Sequence, residues 1–170
     1  MAIREIVLMG EEVLRTSGEE ITEFDNDLRA LIEDMWETMY HAEGIGLAAP
    51  QIGEALRICV LDIRDEDNPE SGRLALVNPV ISRVSKKRGK ELEGCLSIPG
   101  LEELVSRALN VTIKGFDPHG NPLEIKAKSS LARVLQHEID HLEGILFIDH
   151  VSPLKRKILL KKWKKAREKE

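Results

Sequence analysis

Two histidines spaced four residues apart place the strongest constraint on how this chain can fold. The stretch His137-Glu138-Ile139-Asp140-His141 follows the pattern H-E-x-x-H. On a helix, side chains four positions apart point in the same direction, one turn above the other. Two imidazoles so placed can bind one metal ion, and Glu138 could take a proton from water on that ion. The pattern favours a metal-dependent hydrolase, and a pair of buried structural histidines is the alternative.

The residues around the pattern predict the helix that it requires. Ser129 and Ser130 are candidate N-caps, and Gly144 is a candidate C-terminal stop. At about 100° per residue, His137 and His141 share a side that adjoins the apolar side of the helix. We therefore expect the two histidines to face the interior. The apolar residues at helical spacing are Leu131, Val134, Leu135, Ile139 and Leu142.

Elsewhere the sequence predicts a helix near each end and extended segments between them. Apolar residues recur at helical spacing from 25 to 41, with Gly44 behind them, and a basic helix starts after Pro153. A polar loop with Pro69 is expected at 65–72. The fold class is therefore α+β: antiparallel strands packed around a central metal-binding helix, with an N-terminal helix and a C-terminal helix. Runs rich in Val, Ile and Leu predict strands at 56–63, 74–81, 111–116 and 123–127.

The composition indicates one globular domain. The chain has 170 residues, of which 42% are hydrophobic and 32% are charged, ordinary values for a globular protein. It has no apolar run of about 18 residues, and its start lacks a signal-peptide pattern. We therefore expect a cytoplasmic protein without membrane contact. We expect residues 1–150 to form a single catalytic metallohydrolase domain and residues 151–170 to form a basic C-terminal helix packed on it or extending from it.

The charge of the chain is unevenly distributed. The net charge is −5, yet residues 155–170 carry nine Lys or Arg and two Glu. Ile158, Leu159 and Trp163 could dock such a helix on the domain, which would make its charge an ordinary solvated face. The alternative is attachment to a polyanion such as RNA. The residues leave both interpretations open.

A third metal ligand must come from outside the helix. Catalytic sites of this kind commonly have three protein ligands and one open position. One group of proteases places a third histidine where this chain has Phe147. A second group uses a downstream glutamate, but after Glu143 only Glu168 and Glu170 remain, near the end of the chain. Cys95 is the best upstream candidate because a thiolate binds such metals well. A small buried hydrophobic role for Cys95 is the alternative.

Three segments of the chain together resemble the three motifs of peptide deformylases. They are Gly44-Ile45-Gly46-Leu47-Ala48-Ala49-Pro50-Gln51, Glu93-Gly94-Cys95-Leu96-Ser97 and the His137–His141 segment. Their order and separations are similar to those of the family, and three motifs in register are far more specific than H-E-x-x-H alone. The similarity runs through most of residues 1–150.

The resemblance implies an activity and a set of functional residues. Cys95, His137 and His141 would hold one divalent metal ion, usually Fe²⁺, with Ni²⁺ or Zn²⁺ possible, and water would take the fourth position. Glu138 would act as general base and acid. The side-chain amide of Gln51 and the backbone N–H of Leu96 would bind the carbonyl oxygen. Gly46 would contribute backbone contacts to the substrate. The reaction would remove the formyl group from N-formylmethionyl peptides, releasing formate.

Three hypotheses about function follow. The first is the deformylase, with a methionine pocket walled by Ile45, Leu92, Leu96 and Val134 and possible ribosome contact through the basic C-terminal helix. The second is a general metallopeptidase, which would cut internal peptide bonds. The third is a binding module whose metal is structural and whose basic tail contacts RNA. A closed site with four protein ligands would favour the third.

Overall fold

Five antiparallel strands form the main sheet of the computed structural model, which describes residues 2–66, 68 and 71–168. In space the strands follow the order β1-β2-β3-β6-β7. A separate two-stranded hairpin pairs β4 with β5. The strands are β1 Gly46–Ala48, β2 Ile58–Ile63, β3 Gly72–Val84, β4 Arg88–Glu93, β5 Glu103–Ala108, β6 Asn110–Phe116 and β7 Pro122–Lys128.

Three α-helices accompany the sheets in the described part of the chain: α1 Asn26–His41, α2 Ser129–Leu142 and α3 Pro153–Glu168. Short 3₁₀ helices cover Glu12–Arg15, Ala49–Ile52 and Phe147–His150. None of the described helices has the length and apolar character needed to cross a bilayer. The predicted α+β class with helices at both ends is confirmed. Pro69, which supported the loop prediction, and the last two residues of the basic tail lie outside the described residues.

The two long helices inside the domain pack on opposite faces of the sheet. Successive residues of β2 alternate between the faces: Cys59 and Leu61 contact the α2 side, whereas Ile58 and Val60 contact the α1 side. On α2 the buried residues include Leu131, Leu135, Ile139 and Leu142, and on α1 they include Leu28, Ile32, Met35 and Met39. The central part of the sheet is therefore buried on both faces, and α2 is held rigidly between the sheet and the hairpin.

The ends of α1 show how local sequence sets its limits. The Asp25 carboxylate accepts the backbone N–H of Leu28 at 2.9 Å, which caps the first turn. After the helix, Glu43 takes a left-handed conformation with φ of +58°. The N–H of Gly44 then donates to the Met39 carbonyl at 2.9 Å. The predicted helix is confirmed, and Gly44 follows its end as expected.

Two details of the predicted elements are wrong. The helix α2 begins at Ser129 as expected, but Lys128 occupies the N-cap position and no side chain caps the helix. The strands β1, β4 and β5 were not predicted. The hairpin strand β4 is mostly exposed and polar, so its sequence shows no alternation of apolar and polar residues.

The C-terminal helix packs on a third apolar cluster. Leu159 is buried there beside Ile98, Val105 and Phe147, and Trp163 is partly buried against the same group. Ile158, the third residue of the expected docking stripe, is 48% exposed. Two of the three expected residues therefore hold α3 on the domain.

A glycine substitution tests how α2 is terminated. Gly144 has φ of +76°, and a Cβ there would lie 2.7 Å from the Arg15 carbonyl oxygen. Gly100 has a similar φ of +86°, but among the described residues no atom lies within 4 Å of its would-be Cβ. We expect Gly100→Ala to lower the free energy of unfolding by about 1 kcal/mol through backbone strain. Gly144→Ala should cost a further ~1–3 kcal/mol from the steric clash. Urea unfolding of both variants measures the difference, and equal losses would contradict the packing described.

Candidate metal centre

The helix α2 and the turn after β4 bring three possible metal ligands together. Cys95, His137 and His141 each offer a ligand atom, and these atoms lie within 4.8 Å of one another. The Cys95 Sγ atom is 3.4 Å from Nε2 of His141. The structure therefore juxtaposes the upstream cysteine with both histidines of the H-E-x-x-H segment.

These residues fit a divalent transition metal. With metal–sulfur and metal–nitrogen bonds of about 2.3 and 2.05 Å, two ligands of a tetrahedral site lie about 3.6 Å apart, close to the sulfur–nitrogen distance observed. Within the described residues the group contains three ligands, which leaves one tetrahedral position for water or substrate. The Nδ1 atom of His141 is buried and has no hydrogen-bond partner among the described residues. This geometry argues against both a closed structural metal site and a pair of satisfied core histidines.

A buried carboxylate orients the first histidine. Glu93, 7% exposed, accepts a hydrogen bond from Nδ1 of His137 at 3.0 Å. Because Nδ1 carries the proton in this bond, the Nε2 lone pair is free to bind a metal. The same carboxylate accepts two hydrogen bonds from Arg107, both at 2.9 Å, and one from Arg133 at 2.6 Å. Burial opposes ionisation, but the bonds from His137 and Arg107 outweigh it and hold the pKa of Glu93 well below its usual range.

The ionic network continues away from the metal ligands. Arg107 also donates to Asp140 at 2.6 Å, and Asp140 in turn contacts Nε2 of His150 at 2.7 Å. The side chain of His150 is 31% exposed. The sequence analysis assigned no supporting role to Glu93, Arg107 or Asp140. Glu93 and Asp140 stand inside the quoted motifs, but their burial and their shared partner depend on tertiary structure.

Glu138 lies in a confined and unpaired position. Its carboxylate packs directly against the backbone of Gly46, where an added Cβ would lie 2.9 Å from the Glu138 Cδ atom. The Oε1 atom is buried without a hydrogen-bond partner among the described residues. Burial raises the pKa of Glu138 to about 7, and the nearby His137 opposes part of that rise. A glycine is therefore required at position 46, and the carboxyl group is suited to exchanging protons near neutral pH.

Gln51 presents its amide nitrogen to the site. Its Oε1 atom accepts the backbone N–H of Ala48 at 2.9 Å, which fixes the orientation of the amide. The Nε2 atom then lies 3.2 Å from Ser97 Oγ and 3.5 Å from Cys95 Sγ. Among the described residues, the backbone N–H of Leu96 has no acceptor. Both donors that the resemblance implies therefore lie beside the ligands, where the Gln51 amide donates to Ser97 and Cys95.

The N-terminal segment holds the two loops that carry these donors. The Val7 N–H donates to the Gln51 carbonyl at 2.7 Å, and the Met9 N–H donates to the Ser97 carbonyl at 2.8 Å. One short extended segment thus links the 3₁₀ helix of Gln51 to the turn of Cys95. The part that Val7 and Met9 play could not be predicted, because hydrogen bonds between distant backbone segments leave no local pattern in the sequence.

The site opens into a cleft of about 980 Å³. Leu96 and Val134 are partly buried in its wall, as expected for a pocket that holds an apolar side chain. Ile45 and Leu92 also line it, but they are 57% and 63% exposed and therefore belong to the rim. The cleft reaches His137 and Glu138 at its base, so an extended ligand could enter with its end at these side chains.

Comparison with known proteins agrees with this geometry. The polypeptide deformylase family model matches residues 3–157. The peptide deformylase of Thermodesulfovibrio yellowstonii is 48% identical over 96% of this chain and 98% of its own length. That of Brucella suis is 44% identical over 97% of this chain and 94% of its own length.

Solved structures extend the similarity to three dimensions. A peptide deformylase from Legionella pneumophila superimposes with a TM-score of 0.88 at 44% identity, covering 98% of this chain and 96% of that one. A peptide deformylase from Ehrlichia chaffeensis, solved in complex with actinonin, gives a TM-score of 0.92 at 38% identity, covering 98% of each chain. The chain therefore belongs to the polypeptide deformylase family, metal-dependent hydrolases that remove the formyl group from N-formylmethionyl peptides.

Proposed function

We propose that Cys95, His137 and His141 hold the catalytic metal ion and that Glu138, Gln51 and Leu96 carry out the chemistry beside it. The observation that supports this assignment most strongly is the meeting of three ligand atoms within 4.8 Å next to a buried, unpaired carboxylate. A buried carboxylate without a partner is costly, and such groups are typical of catalytic sites.

 Three apolar clusters, which bury side chains from all three α-helices, stabilise the fold. The metal is therefore assigned a chemical role. A divalent cation held by these residues would lower the pKa of a bound water molecule towards about 7.

Glu138 moves the proton in this proposal. As general base it accepts a proton from the attacking water, while a bond forms between the water oxygen and the formyl carbon. It then returns the proton to the amine as the carbon–nitrogen bond breaks. The products are formate and a peptide with a free N-terminal methionine. Burial favours this role because it raises the pKa of Glu138 to about 7.

Gln51 and Leu96 stabilise the developing negative charge on the carbonyl oxygen. The Gln51 amide is already oriented by its bond to the Ala48 N–H, so little reorganisation is needed during the reaction. The free N–H of Leu96 supplies the second donor. One such donor is typically worth about 3 kcal/mol of transition-state stabilisation. Gly46 provides backbone contacts at the exposed edge of β1, which pairs with β2 on its other side.

We assign Fe²⁺ as the working metal, with Ni²⁺ and Zn²⁺ as the alternatives. One thiolate and two imidazoles suit all three ions. The resemblance to the family favours iron. Because the affinity of such sites follows a general order among metals, the ion present in the cell also depends on metal availability.

The basic helix α3 is the proposed contact with the ribosome. Its eight described Lys and Arg residues are all exposed, whereas Leu159 and Trp163 face the domain. These two residues attach the helix to the domain, and its exposed cations are left for a polyanion such as ribosomal RNA. This contact would place the enzyme in the cytoplasm beside newly made chains.

The role of Glu138 is tested by Glu138→Gln, which keeps the size of the side chain and removes its ability to accept a proton. We expect kcat to fall by about 10²–10⁴-fold with the metal content unchanged. Formate release from a formyl-methionyl peptide and elemental analysis measure the two quantities. Glu124→Gln, at an exposed position on β7, is the control and should keep full activity. Full activity of Glu138→Gln would show that another group moves the proton.

The orienting role of Glu93 is tested by Glu93→Gln. We expect the metal affinity to fall by about 10–100-fold, since His137 loses its ionised partner. Competition with a chelator measures the affinity, and thermal unfolding checks that the variant is folded. The matched control is Glu91→Gln on the same strand, where the carboxylate is 68% exposed. An unchanged affinity in Glu93→Gln would contradict the proposal.

The role of α3 is tested by neutralising Lys161, Lys162 and Lys165 with glutamine. Substitution is preferable to deletion because Leu159 and Trp163 pack on the domain. We expect weaker ribosome binding and a salt dependence reduced by about one unit of slope per lost phosphate contact. Co-sedimentation at several salt concentrations measures both, while deformylation of a free peptide should be unchanged. Unaltered ribosome binding would exclude this use of the helix.

A further inference from the structure

A second cationic surface lies apart from α3, at the end of the β4–β5 hairpin that is remote from the cleft. Residues 83–90 contain five Lys or Arg and no acidic residue, although the whole chain has a net charge of −5. Two further lysines project from β7 beside them. We call this the basic hairpin surface; its members are Arg83, Lys86, Lys87, Arg88, Lys90, Lys126 and Lys128.

The cations of the basic hairpin surface are exposed and uncompensated. All seven are exposed, and within the described residues none of them forms an ion pair. Arg88 donates only to the side chain and carbonyl of Ser106. The nearest acid along the strand, Glu91, pairs with Arg133 at 3.4 Å. The positive charge of this surface is therefore available to a partner.

The surface surrounds a depression rather than a flat face. The depression measures about 500 Å³, and its lining includes Arg83, Lys126 and Lys128 together with the polar residues Asn110 and Thr112. The turn of residues 85–87 is held against β6. The Ser85 N–H donates to the Asn110 carbonyl at 2.9 Å, the Asn110 N–H donates to Ser85 Oγ at 3.1 Å, and the Leu109 N–H donates to the Lys87 carbonyl at 3.0 Å. The cations are thus presented by an ordered backbone. Asp65, an acid near this depression, is engaged with Asn68 at 2.7 Å.

The two basic surfaces of the molecule are separate. In the register of the hairpin, Glu93 lies opposite Glu103 at one end. Lys155, at the start of α3, contacts Glu103 at 3.4 Å. Arg88 pairs with Ala108 at the other end. Five residue steps at about 3.3 Å each separate the ends by roughly 17 Å. A partner could therefore occupy the basic hairpin surface while α3 and the cleft remain free.

We propose that the basic hairpin surface binds the phosphodiester backbone of RNA. Lysine is depleted from protein–protein interfaces, which rely on apolar and aromatic anchors. Among the residues that line the depression, Val84 is the single large apolar residue that is strongly exposed, at 60%. Clustered lysines and arginines with polar neighbours are typical of surfaces that contact nucleic-acid phosphates. The contact is independent of the catalytic proposal, because none of the seven residues lines the cleft.

The experiment compares two double variants with the same change in net charge. Lys86→Gln with Lys87→Gln alters the basic hairpin surface. Arg4→Gln with Arg73→Gln is the control, since these cations lie beside α1 and pair with Asp34 and Glu33. The probe is a short labelled RNA duplex, and fluorescence anisotropy gives its Kd at several salt concentrations. Deformylation of a free peptide should be equal in all variants.

The proposal predicts that the hairpin variant weakens duplex binding by about tenfold or more at low salt, with a shallower salt slope, and that the control has little effect. When the hairpin and α3 substitutions are combined, the fold-changes in Kd should multiply, because distant sites act additively in free energy. Equal weakening by both double variants would show that RNA binding depends only on the net charge of the protein, and it would overturn the proposal. Unchanged binding in the hairpin variant, or selective loss of binding to anionic phosphatidylserine vesicles instead of RNA, would also overturn it.

Discussion

The Glu93 carboxylate joins the elements on which the candidate site depends. It lies at the end of β4, two residues before Cys95, and it binds Arg107 of β5 together with His137 and Arg133 of α2. One buried group therefore sets the position of the hairpin relative to the helix. The distance between the cysteine and the two histidines follows from that position. Further hydrogen bonds between the hairpin and α2 reinforce this link: Arg107 donates to Asp140, Arg133 donates to the Val105 carbonyl, and Gln136 bonds to the backbone of Ala108.

Burying this ionic network costs free energy, and its role in orienting His137 explains why that cost is borne. Removing a carboxylate and two guanidinium groups from water is unfavourable, and their mutual attraction repays this only with good geometry. Replacement by apolar residues could give an equally stable fold, so stability alone does not account for the network. Its hydrogen bonds fix the tautomer and the ring orientation of His137, which an apolar core cannot do. The apolar clusters on both faces of the sheet supply the stability that allows such a group to be buried.

Part of this architecture could be predicted from the sequence because it depends on local spacing. The H-E-x-x-H helix and α1 were predicted since their apolar residues repeat every three or four positions. The assignment of Cys95 as a metal ligand depended on the comparison of motifs, because a lone cysteine carries no periodic signal. The hairpin β4–β5 was missed, because β4 is largely exposed and polar and the two strands pair across a loop of nine residues. The roles of Glu93 and Arg107 depend on that pairing and could not be predicted before it was known.

The central claim is that one metal ion is bound by one thiolate and two imidazoles. X-ray absorption at the metal edge of active enzyme, purified without oxygen, tests it most directly. The account predicts one sulfur at about 2.3 Å and two imidazole nitrogens at about 2.0–2.1 Å, and a Cys95→Ser variant should lack the sulfur. The edge position also identifies the metal. A first coordination shell without sulfur in the active enzyme would contradict the assignment of Cys95 and with it the proposed site.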